Sequence, residues 1–593
     1  MLLVRVLRGL VVGVVAVLSA SGLAGCALFA DGPREITEQF LTALASGDTA
    51  AAAALTDAPE SAKATLDQAR AALEPERIDQ AVEHVGQASP AAARYRLDWR
   101  LPRGRVWSYT AEAELYTVDD AWKVRWLPSV VHPGLAVRQQ LALRVETPRQ
   151  APVLDRDGKA LLEPETVVAV LLDPAQAATT AGPLAAALTP IDASITEQSI
   201  VEGAKSVQPK AYSVVTLRQS DYLKVKPAIY ELPGLRFSEQ RRLLPVDASL
   251  GEQVLPAIRS TVEEQVAGNA GWRVVTTDSG GGEVAELHAQ EAKPADAVTS
   301  TLSRRVQAAG EKALEPVPGA AMIVALQPST GELLAVAQNA PADQQGAIAL
   351  TGRYPPGSTF KIVTAAAGLG AGKVKADTPV DCPATTVVDG RLIPNNDRFA
   401  LGTVPLSQAF AQSCNTTFAR LSTDLPAMAL TDSARDLGLG ADFVIQGLTT
   451  ITGSVPPAGS IVQQAENGFG QGTVLASPFG MAVVAGTVAS GRIPVPSLLR
   501  GAATEAKNLG APVRPDVLDA LRGMMREVVT GTALRDLPEV RGKTGTAQYG
   551  DGSTAHGWFV GYSGDLAFAV LLTGAGSSGL AVEAAHRFLT GLG

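Results

Sequence analysis

Three short motifs constrain what the last half of this 593-residue chain can fold into. Ser358-Thr359-Phe360-Lys361, Ser413-Cys414-Asn415 and Lys543-Thr544-Gly545 occur in that order, with 55 positions between the serines and 130 more to Lys543. A serine three residues before a lysine, a second serine two before an asparagine, and a lysine followed by a small residue and glycine can supply a nucleophile, a base, a proton relay and an anion-binding edge. They do so only if a helix, a loop and a strand converge on one cleft.

Each motif has a local reading of its own. Tyr354-Pro355-Pro356-Gly357 is a turn signal and residues 360–369 are an Ala-rich apolar run, so a helix is expected to open at Ser358. Three residues are nearly one helical turn, which puts Ser358 and Lys361 on one face. A serine hydroxyl becomes a useful nucleophile once a neighbouring base takes its proton. Lysine can be that base if burial and a second cation hold its pKa down, and Lys543 is the natural second cation. Taken alone, the first motif reads better as an N-cap serine and a solvated lysine, since about one S-x-x-K is expected in a chain this long. Ser413 and Asn415 lie between two apolar helical stretches, 406–411 and 416–421, so a short loop is expected to present them. Lys543 to Ala547 reads as a strand on which Gly545 allows a ligand backbone to approach closely.

Together these residues resemble the S-x-x-K, S-x-N and K-T-G set of the penicillin-recognising serine enzymes. The chain as a whole is similar to the class B penicillin-binding proteins, the monofunctional peptidoglycan D,D-transpeptidases. The likeness includes the hairpin pattern at 320–335, Asn467-Gly468-Phe469-Gly470-Gln471-Gly472, the run 528–533 before the third motif, and His556-Gly557-Trp558 after it. The resemblance implies a catalytic set of Ser358, Lys361, Ser413, Asn415 and Lys543. Thr544, Gly545 and Thr546 would bind the substrate carboxylate, and the backbone N–H groups of Ser358 and Thr546 would form an oxyanion hole. His556 and Trp558 read as structural. The implied reaction acylates Ser358 with loss of the terminal D-Ala and passes the acyl group to a neighbouring stem peptide; β-lactams would acylate the same serine. Alternatives on the same fold are a non-catalytic β-lactam sensor or assembly scaffold, a D,D-carboxypeptidase or a β-lactamase.

The opposite end of the chain speaks to location. Arg5 and Arg8 precede an apolar segment that ends in Leu23-Ala24-Gly25-Cys26. That is the layout of a secretory signal, and it resembles a bacterial lipobox with lipidation at Cys26. The competing reading is an uncleaved spanning anchor, although about 17 apolar residues fall short of the roughly 20 a spanning helix needs. Either reading places the body on the extracytoplasmic face of the bacterial membrane. A net charge of −9 argues against nucleic acid as a partner, and so few cysteines and histidines leave no expectation of a metal or cofactor. After Cys26 only Cys382 and Cys414 remain. They are either a disulfide stiffening the second motif or two separate buried thiols.

The expected architecture is a multidomain α+β chain. Residues 1–25 read as signal peptide and 26–32 as tether. Residues 33–148 pass from Ala-rich helical to alternating aromatic texture. They resemble the cone-shaped, nuclear-transport-factor-like α+β domain of the methicillin-resistance type. Residues 149–298, opening on Asp155-Arg156-Asp157-Gly158, resemble a dimerisation or pedestal domain. Residues 299–593 resemble a serine β-lactamase/transpeptidase-like domain, an antiparallel sheet flanked by helices. Partners implied are peptidoglycan stem peptides, β-lactams, the membrane through the lipid anchor, and cell-wall synthesis or division proteins.

Overall fold

The computed structural model describes residues 32–593 apart from 147, 149, 208 and 551; Cys26 and the apolar segment before it lie outside the described residues. Two compact units emerge. Among the described residues, one comprises 32–146 together with Ala270–Ala292, the other 148–269 with Lys293–Gly593.

In the first unit, three helices (Pro33–Ser46, Thr49–Ala54, Pro59–Leu73) precede a four-stranded antiparallel meander that starts at Arg77. Gly47, at φ +86°, ends the first helix in the left-handed region, where glycine carries no Cβ penalty. The strand Ala91–Leu101 alternates strictly: Ala93, Tyr95, Leu97, Trp99 and Leu101 are buried while Arg94, Arg96 and Arg100 face water. The helices contribute Phe40, Leu41, Leu44, Leu66 and Leu73 to the same core.

The region expected at 149–298 is not one continuous domain. The strand Gly271–Thr277 pairs antiparallel with Gln140–Glu146, and Trp272 and Val274 are buried in the first unit's core. Residues 270–292 therefore belong with the N-terminal unit. The remainder of the region builds a sheet around the long strand Ala160–Leu172, which pairs with Tyr212–Arg218 and Leu235–Pro245. Asp155 turns the chain into this sheet: its buried carboxylate accepts from the backbone N–H groups of Asp157, Lys159 and Arg304.

The rest of the second unit is organised on a five-stranded antiparallel sheet. Its strands run in the order Leu333–Gln338, Ala321–Leu326, Leu566–Leu572, Thr554–Ser563, Val540–Tyr549. Both faces are covered, so the strands read as continuous apolar runs. Ala321, Ile323 and Ala325 pack with the helices Arg304–Leu314 and Gly579–Thr590. Met322, Val324 and Leu326 pack into a second core with Lys361–Gly370, Pro478–Ser490 and Pro515–Thr530. The strand carrying the third motif lies at the edge of the sheet, its register unbroken from Val540 opposite Ser563 to Tyr549 opposite Thr554. No described helix is long and apolar enough to cross a membrane.

Candidate active site

Ser358 lies in a 3₁₀ turn, Gly357–Phe360, that runs directly into the α-helix Lys361–Gly370. The tighter winding places residues three apart almost in line, and Lys361 Nζ lies 3.0 Å from Ser358 Oγ. Two glycines allow this turn to sit against the third-motif strand. Gly357 has φ +54°, and a Cβ there would come within 2.6 Å of the Thr546 carbonyl oxygen; one on Gly545 would meet the Pro356 carbonyl at 2.9 Å and Thr359 at 2.8 Å. The expectation that Gly545 makes room for a ligand thus needs correcting, since its missing side chain admits the nucleophile turn. Gly470 closes the turn from behind by accepting the Gly357 N–H at 2.9 Å. A Cβ on Gly470 would run into the Gly357 carbonyl oxygen, so the close approach of the two segments requires glycine there.

The second motif joins the helices Leu406–Ala411 and Asn415–Thr423. Ser413 adopts φ +61°, a left-handed conformation that costs a non-glycine residue roughly 1–2 kcal/mol. Nothing in its tripeptide announces that geometry. Cys414, next to it, is joined to Cys382 by a disulfide. From this loop Lys361 Nζ finds the Ser413 carbonyl at 2.7 Å, Ser413 Oγ at 3.2 Å and Asn415 Oδ1 at 2.7 Å. Lys543 Nζ donates to the same Ser413 Oγ at 3.0 Å and to the Thr544 carbonyl at 3.1 Å.

Both lysines are fully buried. Burial pulls the Lys361 amine well below the usual lysine range, and the charge of Lys543 pulls it down further. Burial alone brings Lys543 down to about 7. Two rings that the motifs do not reveal support them: Lys361 lies over Phe418 and Lys543 over Phe410, each 5.6 Å from the ring centre. Their only sequence signal is the helical spacing that buries each ring, which equally marks an ordinary core residue.

A neutral lysine has two N–H donors and one lone pair. The Ser413 carbonyl and Asn415 Oδ1 can only accept, so they take the two N–H bonds and leave the lone pair for a hydroxyl proton. Ser358 is that hydroxyl's nearest owner, and Ser413 links it to the second amine. The site can therefore deprotonate Ser358 and hand the proton on without any carboxylate.

Ser358, Ser413, Asn415, Thr544 and Thr546 line one cleft of about 860 Å³, with residues 391–399, Glu466 and Gln471 completing its walls. His556 and Trp558 serve the scaffold. Trp558 donates to the Pro355 carbonyl at 3.0 Å, and burial lowers His556 to about 4, leaving a neutral ring stacked on Tyr549.

Residues 321–589 match the penicillin binding protein transpeptidase domain, and residues 32–139 match the NTF2-like N-terminal transpeptidase domain. The peptidoglycan D,D-transpeptidase PbpA of Mycobacterium tuberculosis is 28% identical over 317 residues, covering 45% of this chain and 64% of that protein. Penicillin-binding protein 3 of Bacillus subtilis is 24% identical over 581 residues, covering 83% of this chain and 84% of that one. Among solved structures, the complex of PBP2 with MreC from Helicobacter pylori matches at a TM-score of 0.59 and 16% identity, over 76% of this chain and 99% of that chain; the likeness is one of fold.

Proposed function

The chain belongs to the class B penicillin-binding proteins, and from that premise we propose that it is a peptidoglycan D,D-transpeptidase working through a Ser358 acyl-enzyme. The observation that carries the reading is the chain of contacts from Ser358 through Lys361 and Ser413 to Lys543. Lys361 takes the Ser358 proton as Oγ forms a bond to the penultimate D-Ala carbonyl carbon. The oxygen that becomes anionic sits toward the backbone N–H groups of Ser358 and Thr546, where each such donor is worth about 3 kcal/mol of barrier. The C–N bond then breaks, and the departing D-Ala amine receives a proton passed along Ser413. Thr544 and Thr546, beside the Lys543 charge, hold the donor's terminal carboxylate.

In the second half-reaction a stem-peptide amine attacks the ester carbonyl, loses its proton to Lys361 and regenerates Ser358. A β-lactam enters as the donor does and leaves the serine acylated. Acylation by β-lactams, the lipid on Cys26 and a position on the outer face of the cytoplasmic membrane are parts of the same proposal. The basic, then apolar, then Leu-Ala-Gly-Cys start supports the last two. A cell-wall synthesis protein as partner is supported by the MreC complex of the structural neighbour.

The test is incubation of the full-length chain, in detergent, with a fluorescent penicillin beside Ser358→Ala. One label per chain is expected on the parent and none on the variant. Equal labelling of both, or none on the parent, would refute the assignment. A donor peptide ending in D-Ala-D-Ala, offered with a D-amino acid, should then yield the exchanged product in excess of the hydrolysed one.

A further inference from the structure

One wall of the cleft is the stretch 391–399, and beneath its surface lies Asn395, only 2% exposed. Its carboxamide is fully used. Nδ2 donates to the carbonyls of Pro383 and Phe399, both at 2.9 Å. Oδ1 accepts the backbone N–H of Thr416 at 3.1 Å. Thr416 is the second residue of the helix Asn415–Thr423, and that helix has no cap from its own preceding side chain. The first N–H groups of a helix need an outside acceptor; a serine, aspartate or asparagine directly before the helix ordinarily provides it. Here the position belongs to Cys414, whose sulfur is committed to Cys382, and an asparagine 21 positions upstream provides the acceptor instead. A second bond runs the other way, from Asn415 Nδ2 to the Pro394 carbonyl at 3.3 Å.

We infer that Asn395 is a positioning residue for acyl transfer: capping the Asn415 helix from the cleft wall, it sets Asn415 and Ser413 where they occupy the two N–H bonds of Lys361. The inference rests on the transpeptidase reading and deepens it. Displacing Asn415 Oδ1 from its 2.7 Å contact frees a Lys361 N–H to compete for Ser358 Oγ, so that the lone pair no longer faces the nucleophile. Misplacement by an ångström commonly costs around 10²-fold in rate. Among the described residues Asn395 has no hydrogen bond to the reacting serine or to either lysine. Its bonds go to Thr416 in the second-motif helix and to Pro383 and Phe399 beside the cleft wall, and a loss confined to the saturated rate is what separates the helix route from a displaced wall.

The experiment measures acylation of the full-length chain by a fluorescent penicillin, with melting temperature and thiol count recorded for every variant. Asn395→Ala is expected to acylate roughly ten- to a hundredfold more slowly, with the loss in the saturated rate and little change in the half-saturating concentration. Asn395→Asp keeps the acceptor for Thr416 but replaces the donor to the carbonyls of Pro383 and Phe399 by an oxygen, so it should melt lower than the parent as well as acylate more slowly. In an Asn415→Ala background the effect of Asn395→Ala should largely disappear, because both act on Lys361 through one contact. Val488→Ala, a core change in the helix Pro478–Ser490, controls for lost stability alone. A labelled parent with all Asn395 variants acylating at its rate would overturn the inference, as would fully additive losses or a loss matched by Val488→Ala. A parent that penicillin does not label fails the transpeptidase reading itself, a result distinct from these.

Discussion

Lys361 sits at 0% exposure, and that burial, more than the charge of Lys543, pulls its amine well below the usual lysine range. Replacing it by methionine keeps most of the volume and removes the base, so acylation should fall by roughly 10² to 10⁴. Stopped-flow labelling would show this, while the melting temperature should hold, since a costly buried amine is gone. Lys543 permits a stability prediction whose sign can be worked out. Its pKa falls from 10.5 free to about 7 folded, so between those values the unfolded chain binds the extra proton. Its destabilisation is full below pH 7, fades as pH rises and is absent above 10.5. Melting temperature should therefore climb from pH 7 toward pH 10, and Lys543→Met should flatten that climb. An equal slope in both proteins would refute the buried-amine account. Gly545→Ala tests the packing of the nucleophile turn. Its Cβ would meet backbone and side chain under 3 Å away, so the turn must retreat, and penicillin labelling should drop at least tenfold even though the strand's pairing with Thr554–Ser563 is untouched.

At the level of elements, the second motif depends on a loop held by ties from outside it. The disulfide closes 32 residues of chain, and a loop of that length is worth about 3–4 kcal/mol by chain entropy. Cys382→Ser with Cys414→Ser should lower the temperature at which labelling is lost, and reductant should do the same to the parent but not to the double variant. Asn395 remains in that variant, so slow labelling should persist at 25 °C. These ties also show where sequence reading stops. Ser358 and Lys361 share a turn, and Leu406–Ala411 and Asn415–Thr423 are helices with apolar faces; spacing alone reveals both. The left-handed Ser413, the cap from Asn395 and the reason for Gly545 are set by segments distant in sequence. Asn395 in isolation looks like any turn asparagine, because the partner that gives it meaning lies 21 positions away.

For the whole molecule, the same limit moved a domain boundary. The strand Gly271–Thr277 pairs with Gln140–Glu146, from which the strands Ala160–Leu172, Tyr212–Arg218 and Leu235–Pro245 separate it in sequence, and no local pattern joins the two. Trp272 is 2% exposed and Val274 fully buried within the N-terminal core. A shortened chain beginning at residue 147 would carry this strand without the pairing edge or the core that covers it. Exposed apolar strands with open edges aggregate. Such a chain should elute as high-mass species in size exclusion, whereas one beginning at residue 33 should elute as a discrete species. Deleting 270–292 and joining Asn269 to Lys293 in the shortened chain should restore solubility and penicillin labelling together. The two ends are already close, because the Lys293 N–H donates to the Asn269 carbonyl at 3.0 Å. Should the 147-start chain prove soluble and discrete with residues 270–292 present, that segment would have to find cover elsewhere, and assigning 270–292 to the N-terminal unit would fail.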